Sequence, residues 1–287
     1  MPDATLFLVF LIAHVLADYY FQTPALAARK EASYAWLLFH CLIYAVIMFV
    51  GFAIVKTTWW VFALAAGTHW LIDSVKWAVR NTKLPKAGIF VADQIMHVLV
   101  LFILARLAPG SQIRSWFAQL ALPESFLPWA ALILIILKPV NVAVDILFEK
   151  YALAAKEENQ RQDRKARQIP LTEIAAGDET PATIADENPL EVEGAGAWVG
   201  ILERLIAVLF ISMGQYAALG LLMAAKSMAR YDKISKAPAF AEYYLIGTLF
   251  SLLFAIAAYL FIFEIVVPIP VVVEPTPIIL ITPTSIP

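Results

Sequence analysis

The sequence predicts an all-α protein, a polytopic transmembrane helical bundle of about seven spans whose fifth segment is kinked or re-entrant. Two observations predict it. Of 287 residues, 61% are hydrophobic and only 15% charged, and the mean hydropathy is +0.76, whereas soluble domains carry about 25% charged residues. The apolar residues also gather into nearly uncharged runs of about 20, the length a helix needs to cross hydrocarbon.

Residues 1–108 are expected to form a four-helix membrane unit. Its first span runs from Ala4 to Gln22 and stops before Thr23-Pro24. A short polar connection with Arg29, Lys30 and Glu31 leads to the second, Tyr34 to Val55. Lys56 and the Thr57-Thr58-Trp59-Trp60 stretch mark the next interface, where amphipathic rings settle. The third span covers Trp59 to Val79, and a basic loop with Arg80, Lys83 and Lys86 leads to the fourth, Ala87 to Leu107. Residues 109–155 hold a fifth apolar segment from Leu127, interrupted at Lys138-Pro139, because proline removes a donor and crowds the preceding turn. Residues 156–196 read as a polar flexible linker. Residues 197–264 read as a two-helix membrane unit, Trp198 to Ala225 and Tyr243 to Phe263, and 265–287 as a proline-rich tail. Lysines and arginines favour seven spans with the N-terminus outside. Lys226, Arg230, Lys233 and Lys236 then sit outside against the trend, and a re-entrant fifth segment would bring them inside.

A net charge of −2 and a pI near 6.1 offer no basic surface, so nucleic acid is not an expected partner. The single cysteine, Cys41, rules out an internal disulfide and a thiolate-rich metal site. The N-terminus lacks the basic start of a cleaved signal peptide, so its first apolar run reads as a retained span.

Three of the most apolar segments nevertheless carry ionisable pairs four residues apart: His14 and Asp18, His69 and Asp73, and Asp93 and His97. That spacing puts each imidazole and carboxylate on one helix face, one turn apart. Counted from the side where the first and third spans end, the three aspartates share one level and their histidines lie a turn deeper. His40, on the second span, falls at the aspartate level. Ionisable groups facing lipid cost several kcal/mol, about 3 at the bilayer centre, so they should turn toward one another. Neutral imidazoles beside carboxylates suit a borderline divalent ion, zinc first, or manganese or iron. The expected ligand set is His14, Asp18, His40, His69, Asp73, Asp93 and His97, with Gln22, Gln94 and Lys76 supporting it from outside. Histidine–aspartate hydrogen bonds that hold four helices together without metal are the competing reading.

The series His14-x-x-x-Asp18-Tyr-x-x-Gln22, His69-Trp-Leu-Ile-Asp73-x-x-Lys76 and Asp93-Gln94-x-x-His97 resembles a bacterial membrane family catalogued as domain-of-unknown-function family 3307. Later stretches, GILERLIAVLF, GQYAALGLLMAAKSMAR and EYYLIGTLFS, resemble the C-terminal part of its longer members. The resemblance implies a multi-pass protein of the bacterial inner (plasma) membrane; the family carries no established activity to transfer.

A second group of polar residues lies toward the C-terminus. Lys226 and Arg230, four apart, are candidates for an anion or lipid head group, or for anchoring at the interface with a pair to Glu242. Gln215 is expected mid-span as an interhelical hydrogen bonder, and Lys138 and Asp145 flank the break in the fifth segment.

Three functions fit these residues. The first is transport of a divalent cation or protons. The second is metal-dependent hydrolysis of a lipid-linked ester or phosphoester, with His14, His69 and His97 as ligands and a spare carboxylate as base. The third is a non-catalytic membrane scaffold. Zinc-protease, nucleophile-elbow and phosphate-loop signatures are absent from the sequence.

Overall fold

A computed structural model of the protein describes residues 4–167 and 195–267. These residues are helical almost throughout, in the order α1 Ala4–Val15, α2 Pro24–Ala32, α3 Tyr34–Ile54, α4 Trp59–Val79, α5 Lys86–Leu107, α6 Ser115–Ala118, α7 Phe126–Leu147, α8 Glu149–Arg167, α9 Ala195–Ser212, α10 Tyr216–Ala229, α11 Tyr231–Lys236 and α12 Pro238–Leu260. The proline-rich tail beyond residue 267 lies outside the described residues, as do residues 168–194 of the expected linker.

Helix α1 is the axis. Leu6 to Leu11 are buried without interruption, and a helix apolar on every side is one enclosed by protein. Helices α3, α5 and α7 pack around it, α4 lies between α3 and α5, and α12 closes against α7. The outward faces of α3, α4, α5 and α12 expose Leu42, Val46, Leu71, Ile95 and Leu253, the surface expected toward lipid. Two short strands, β1 Val55–Lys56 and β2 Gln112–Ile113, pair antiparallel with Val55 opposite Ile113. The clip joins the chain after α3 to the chain after α5, so both leave the bundle at the same end.

Helix α1 ends in a π-helical turn, Leu16–Tyr20, in which the Phe21 N–H reaches the Leu16 carbonyl at 2.8 Å. Such turns admit one extra residue and turn the side chains beyond it; here they carry Asp18. The chain then bends by 84° into α2. Thr23 accepts from the Leu26 N–H at 3.2 Å and Pro24 occupies the first turn, where a missing N–H costs nothing.

Among the described residues four helices are long and apolar enough to cross a membrane: Tyr34–Ile54, Lys86–Leu107, Phe126–Leu147 and Pro238–Val266. The bent pair α1–α2 makes a fifth if it counts as one span. The seven-span expectation is therefore not carried by length and composition. The expected third span, α4, is a 21-residue helix, but its tryptophans, His69, Asp73 and Lys76 lower its apolarity. The expected sixth span is broken. Gly214 takes a left-handed conformation with φ +69°, ending α9 and leaving α10 only 14 residues long, about 21 Å and too short to cross. Gln215 sits exposed in this break, not mid-span.

Two further corrections concern continuity. Of the kink or break expected at Lys138-Pro139, the break does not occur, because α7 runs through it with Pro139 inside the helix. Proline leaves the Ile135 carbonyl without its helical donor and loosens the turn around it. Neighbouring side chains bond the carbonyls there: Arg204 donates to Ile136 O at 2.6 Å and Leu137 O at 3.2 Å, and Tyr20 donates to Leu134 O at 3.0 Å. Arg204, buried on α9, also donates to Asn141 Oδ1 (2.8 Å) and to Ser251 Oγ on α12 (3.0 Å). One arginine thus ties three helices. The expected linker also begins as helix, since α8 extends to Arg167 and packs on α12. Glu158 accepts from the Ala239 and Phe240 N–H groups at 2.8 and 3.3 Å, capping the first turn of α12.

Candidate metal centre

The centre is assembled by five elements. The π turn after α1 supplies Asp18, α3 supplies His40, α4 supplies His69 and Asp73, and α5 supplies Asp93 and His97, with His14 on α1 itself. All four histidines of the chain are at most 2% exposed. Their rings converge: His69 lies 4.5 Å from His97, 5.4 Å from His40 and 6.2 Å from His14, and His14 stacks on His97 at 5.1 Å, centroid to centroid.

At the carboxylate level two imidazole nitrogens lie near two carboxylate oxygens. His40 Nε2 lies 3.4 Å from His69 Nε2, 3.4 Å from Asp18 Oδ1 and 3.5 Å from Asp73 Oδ2. His69 Nε2 lies 3.6 Å from Asp73 Oδ2 and 3.8 Å from Asp18 Oδ1. Ligands bound tetrahedrally at about 2.0–2.2 Å stand about 3.3–3.6 Å apart. The His40, His69 and Asp73 atoms are thus spaced as three ligands of one tetrahedral ion would be, with Asp18 Oδ1 beside both imidazoles. One turn deeper, His97 Nδ1 is 2.9 Å from the Asp93 carbonyl, which can only accept, so the proton sits on Nδ1 and Nε2 keeps its lone pair. Asp73, Asp93 and His97 form a second group whose ligand atoms lie within 4.8 Å of one another, as do His14, Asp18 and His69.

Several buried atoms here have no hydrogen-bond partner: both ring nitrogens of His14, Nδ1 of His40 and of His69, Nε2 of His97, and one oxygen each of Asp18 and Asp93. Buried polar atoms are nearly always paired, and each exception calls for an explanation. The layer is thus only partly satisfied from within, with His40 and His69 bonded to each other through Nε2.

Cations flank the centre on two sides. Lys30 on α2 reaches Asp73 Oδ2 at 2.9 Å and Gln22 Oε1 at 3.2 Å. Lys76 reaches Asp93 Oδ2 at 2.8 Å, and Gln94 donates to the same oxygen at 2.9 Å while accepting from Tyr19 at 2.7 Å. Gln94 and Lys76 therefore bear on Asp93, whereas Gln22 acts through Lys30. The sequence reading missed Lys30, which it left in a loop, and Tyr44, whose ring lies flat on His69 at 3.5 Å and 6°. Only the bend after Phe21 brings Lys30 back, and no local signal announces it. Tyr44 lies four residues after His40, so its face was readable. Cys41 is a free, half-buried thiol outside these ligand groups.

Beside the centre lies an apolar trough of about 630 Å³, walled by α1, α5, α7 and α12. Its lining includes Val98, Phe102, Ile135, Phe254 and Ala257, with His14, Tyr19 and Gln94 as its polar members among the described residues. Of the C-terminal candidates, Lys226 has partners of its own. Lys226 pairs with Glu203, not with Glu242, and stands over the Tyr244 ring, whose hydroxyl donates to the Lys226 carbonyl at 2.9 Å. Lys138 stands 5.5 Å over the Tyr20 ring, and Asp145 is exposed.

No curated protein and no solved structure matches the chain. Residues 6–122 do match the model of a family described as protein of unknown function (DUF3307), a match that ends before the C-terminal stretches noted above. The matched part of the chain holds the whole centre, so these residues are similar to that uncharacterised family.

Proposed function

We propose that this protein binds a divalent cation, zinc first, inside the membrane through His40, His69, Asp18 and Asp73, and that it moves that cation or protons across the bilayer. What carries the reading is the ligand spacing of the His40 and His69 nitrogens and the Asp73 oxygen, with an Asp18 oxygen beside both nitrogens. Four ligands on one ion would leave no position for water and would favour holding an ion over hydrolysis. Lys30 supports reversible occupancy, because its ammonium neutralises Asp73 whether or not an ion is bound. The cluster of three carboxylates, two lysines and neutral imidazoles is net anionic by one charge, which favours a cation. The resemblance to a bacterial membrane family supports the bacterial plasma membrane as the location.

Elemental analysis of the detergent-purified protein tests this. About one divalent ion per chain is expected, lost in His69→Ala and in Asp73→Asn. Background metal in all three proteins would overturn the proposal and leave the layer as helix-to-helix glue. Uptake of zinc, manganese or iron by reconstituted vesicles then tests transport.

One observation favours a second reading, metal-dependent hydrolysis of a lipid-linked ester or phosphoester. The apolar trough reaches the centre, with His14, Tyr19 and Gln94 in its lining. An ion held by fewer of these ligands would activate a water, and Asp93 is placed to take its proton. Metal-dependent release of fatty acid or head group from vesicle lipids would support it; intact lipids beside active ion uptake would dismiss it.

A further inference from the structure

The trough at His14 differs from an ordinary packing defect in three ways. Its walls α5, α7 and α12 are all of membrane-crossing length, so the medium outside it is hydrocarbon. Its volume, about 630 Å³, falls within the range of about 300–1,000 Å³ typical of ligand pockets. Its lining is apolar along the length contributed by Leu99, Phe102, Phe254 and Phe261, and turns polar where His14, Tyr19 and Gln94 meet it.

The polar end is built. The Tyr19 hydroxyl proton is committed to Gln94, and Gln94 is committed to Asp93. His14 is 1% exposed and both its ring nitrogens are enclosed, so this end closes the trough and leaves an occupant apolar contact along the rest of it.

We propose that the trough binds one hydrocarbon chain of an acyl lipid. The occupant is set by its surroundings: a chain in the bilayer enters from the side without leaving hydrocarbon. This binding gives the second reading above its substrate class, but it does not need the metal, because the walls that hold the chain carry none of the four proposed ligands.

The test uses the full chain in vesicles containing a phospholipid with a diazirine midway along one acyl chain. After irradiation, label is expected on Val98, Leu99, Phe254 and Phe261 at about ten times its density on the lipid-facing Leu64 and Leu71 of α4. Ala257→Phe and Val98→Phe, which fill the trough from opposite walls, are each expected to abolish that excess and leave metal content unchanged. Two variants guard against one failing to fold. Label spread evenly over all lipid-facing residues, or an excess indifferent to both substitutions, would overturn the proposal. So would cross-links showing residues 268–287 or a second copy of the chain in the trough. Metal assayed in the same samples separates failure here from failure of the metal reading.

Discussion

The ammonium of Lys30 lies 2.9 Å from Asp73 Oδ2, the same oxygen that stands 3.5 Å from His40 Nε2 and 3.6 Å from His69 Nε2. A carboxylate oxygen has two lone pairs, so one can accept from Lys30 while the other faces the centre. Lys30 thereby stabilises Asp73 without an ion and opposes the charge of one that arrives.

Lys30→Met is accordingly expected to tighten divalent-ion binding by at least about tenfold, since a like charge a few ångströms away is removed from a poorly screened site. The metal-free protein should lose thermal stability in the same variant, because a buried carboxylate loses its partner. A chelator-competition titration and a melting curve with and without metal check both. Weaker ion binding in Lys30→Met would show that the lysine positions Asp73 instead of competing.

The face of His69 is fixed by Tyr44, stacked 3.5 Å away. Tyr44→Phe keeps the ring and should leave metal affinity within about twofold, the scale of a contact left intact. Tyr44→Ala opens a cavity, costing about 3–5 kcal/mol, and frees the imidazole, so affinity should fall by more than tenfold, about 1.4 kcal/mol. Isothermal titration on folded protein separates the two effects.

Arg204 and Pro139 form a thermodynamic pair. Arg204→Met strands Asn141, Ser251 and two α7 carbonyls and should cost about 2–4 kcal/mol. In a Pro139→Ala background the helix regains its bond to Ile135 and tightens the same turn, so the cost of losing Arg204 should shrink by about 1 kcal/mol. Unfolding of all four proteins in mixed micelles measures the coupling; strict additivity would mean that Arg204 does not compensate the proline.

Glu158 caps α12 from α8 through the Ala239 and Phe240 N–H groups. Glu158→Ala should destabilise the chain by about 1 kcal/mol, as loss of a helix cap does, and Glu158→Gln by less. Hydrogen exchange at Ala239 and Phe240 should accelerate in the alanine variant while exchange in α1 stays unchanged.

Much of the centre was legible before any coordinates. A helix repeats every 3.6 residues, so His14 with Asp18, His69 with Asp73 and Asp93 with His97 had to share faces and depths. The cost of charge in hydrocarbon had to turn those faces inward. Composition fixed a helical, lipid-compatible chain by the same reasoning. Periodicity is a local property and was read locally.

What packing alone decided is of another kind. Hydropathy averages over a single glycine, so it carried the sixth helix through Gly214, whose left-handed backbone ends it. Proline at 139 reads as a break because its missing donor is local, whereas the arginine that bonds the neighbouring carbonyls comes from a helix 65 residues further on. The bend that returns Lys30 to Asp73, and the choice of which nitrogen meets which oxygen among four helices, depend on contacts between distant segments. Sequence sets the face each side chain occupies; only the assembled bundle sets what that face meets.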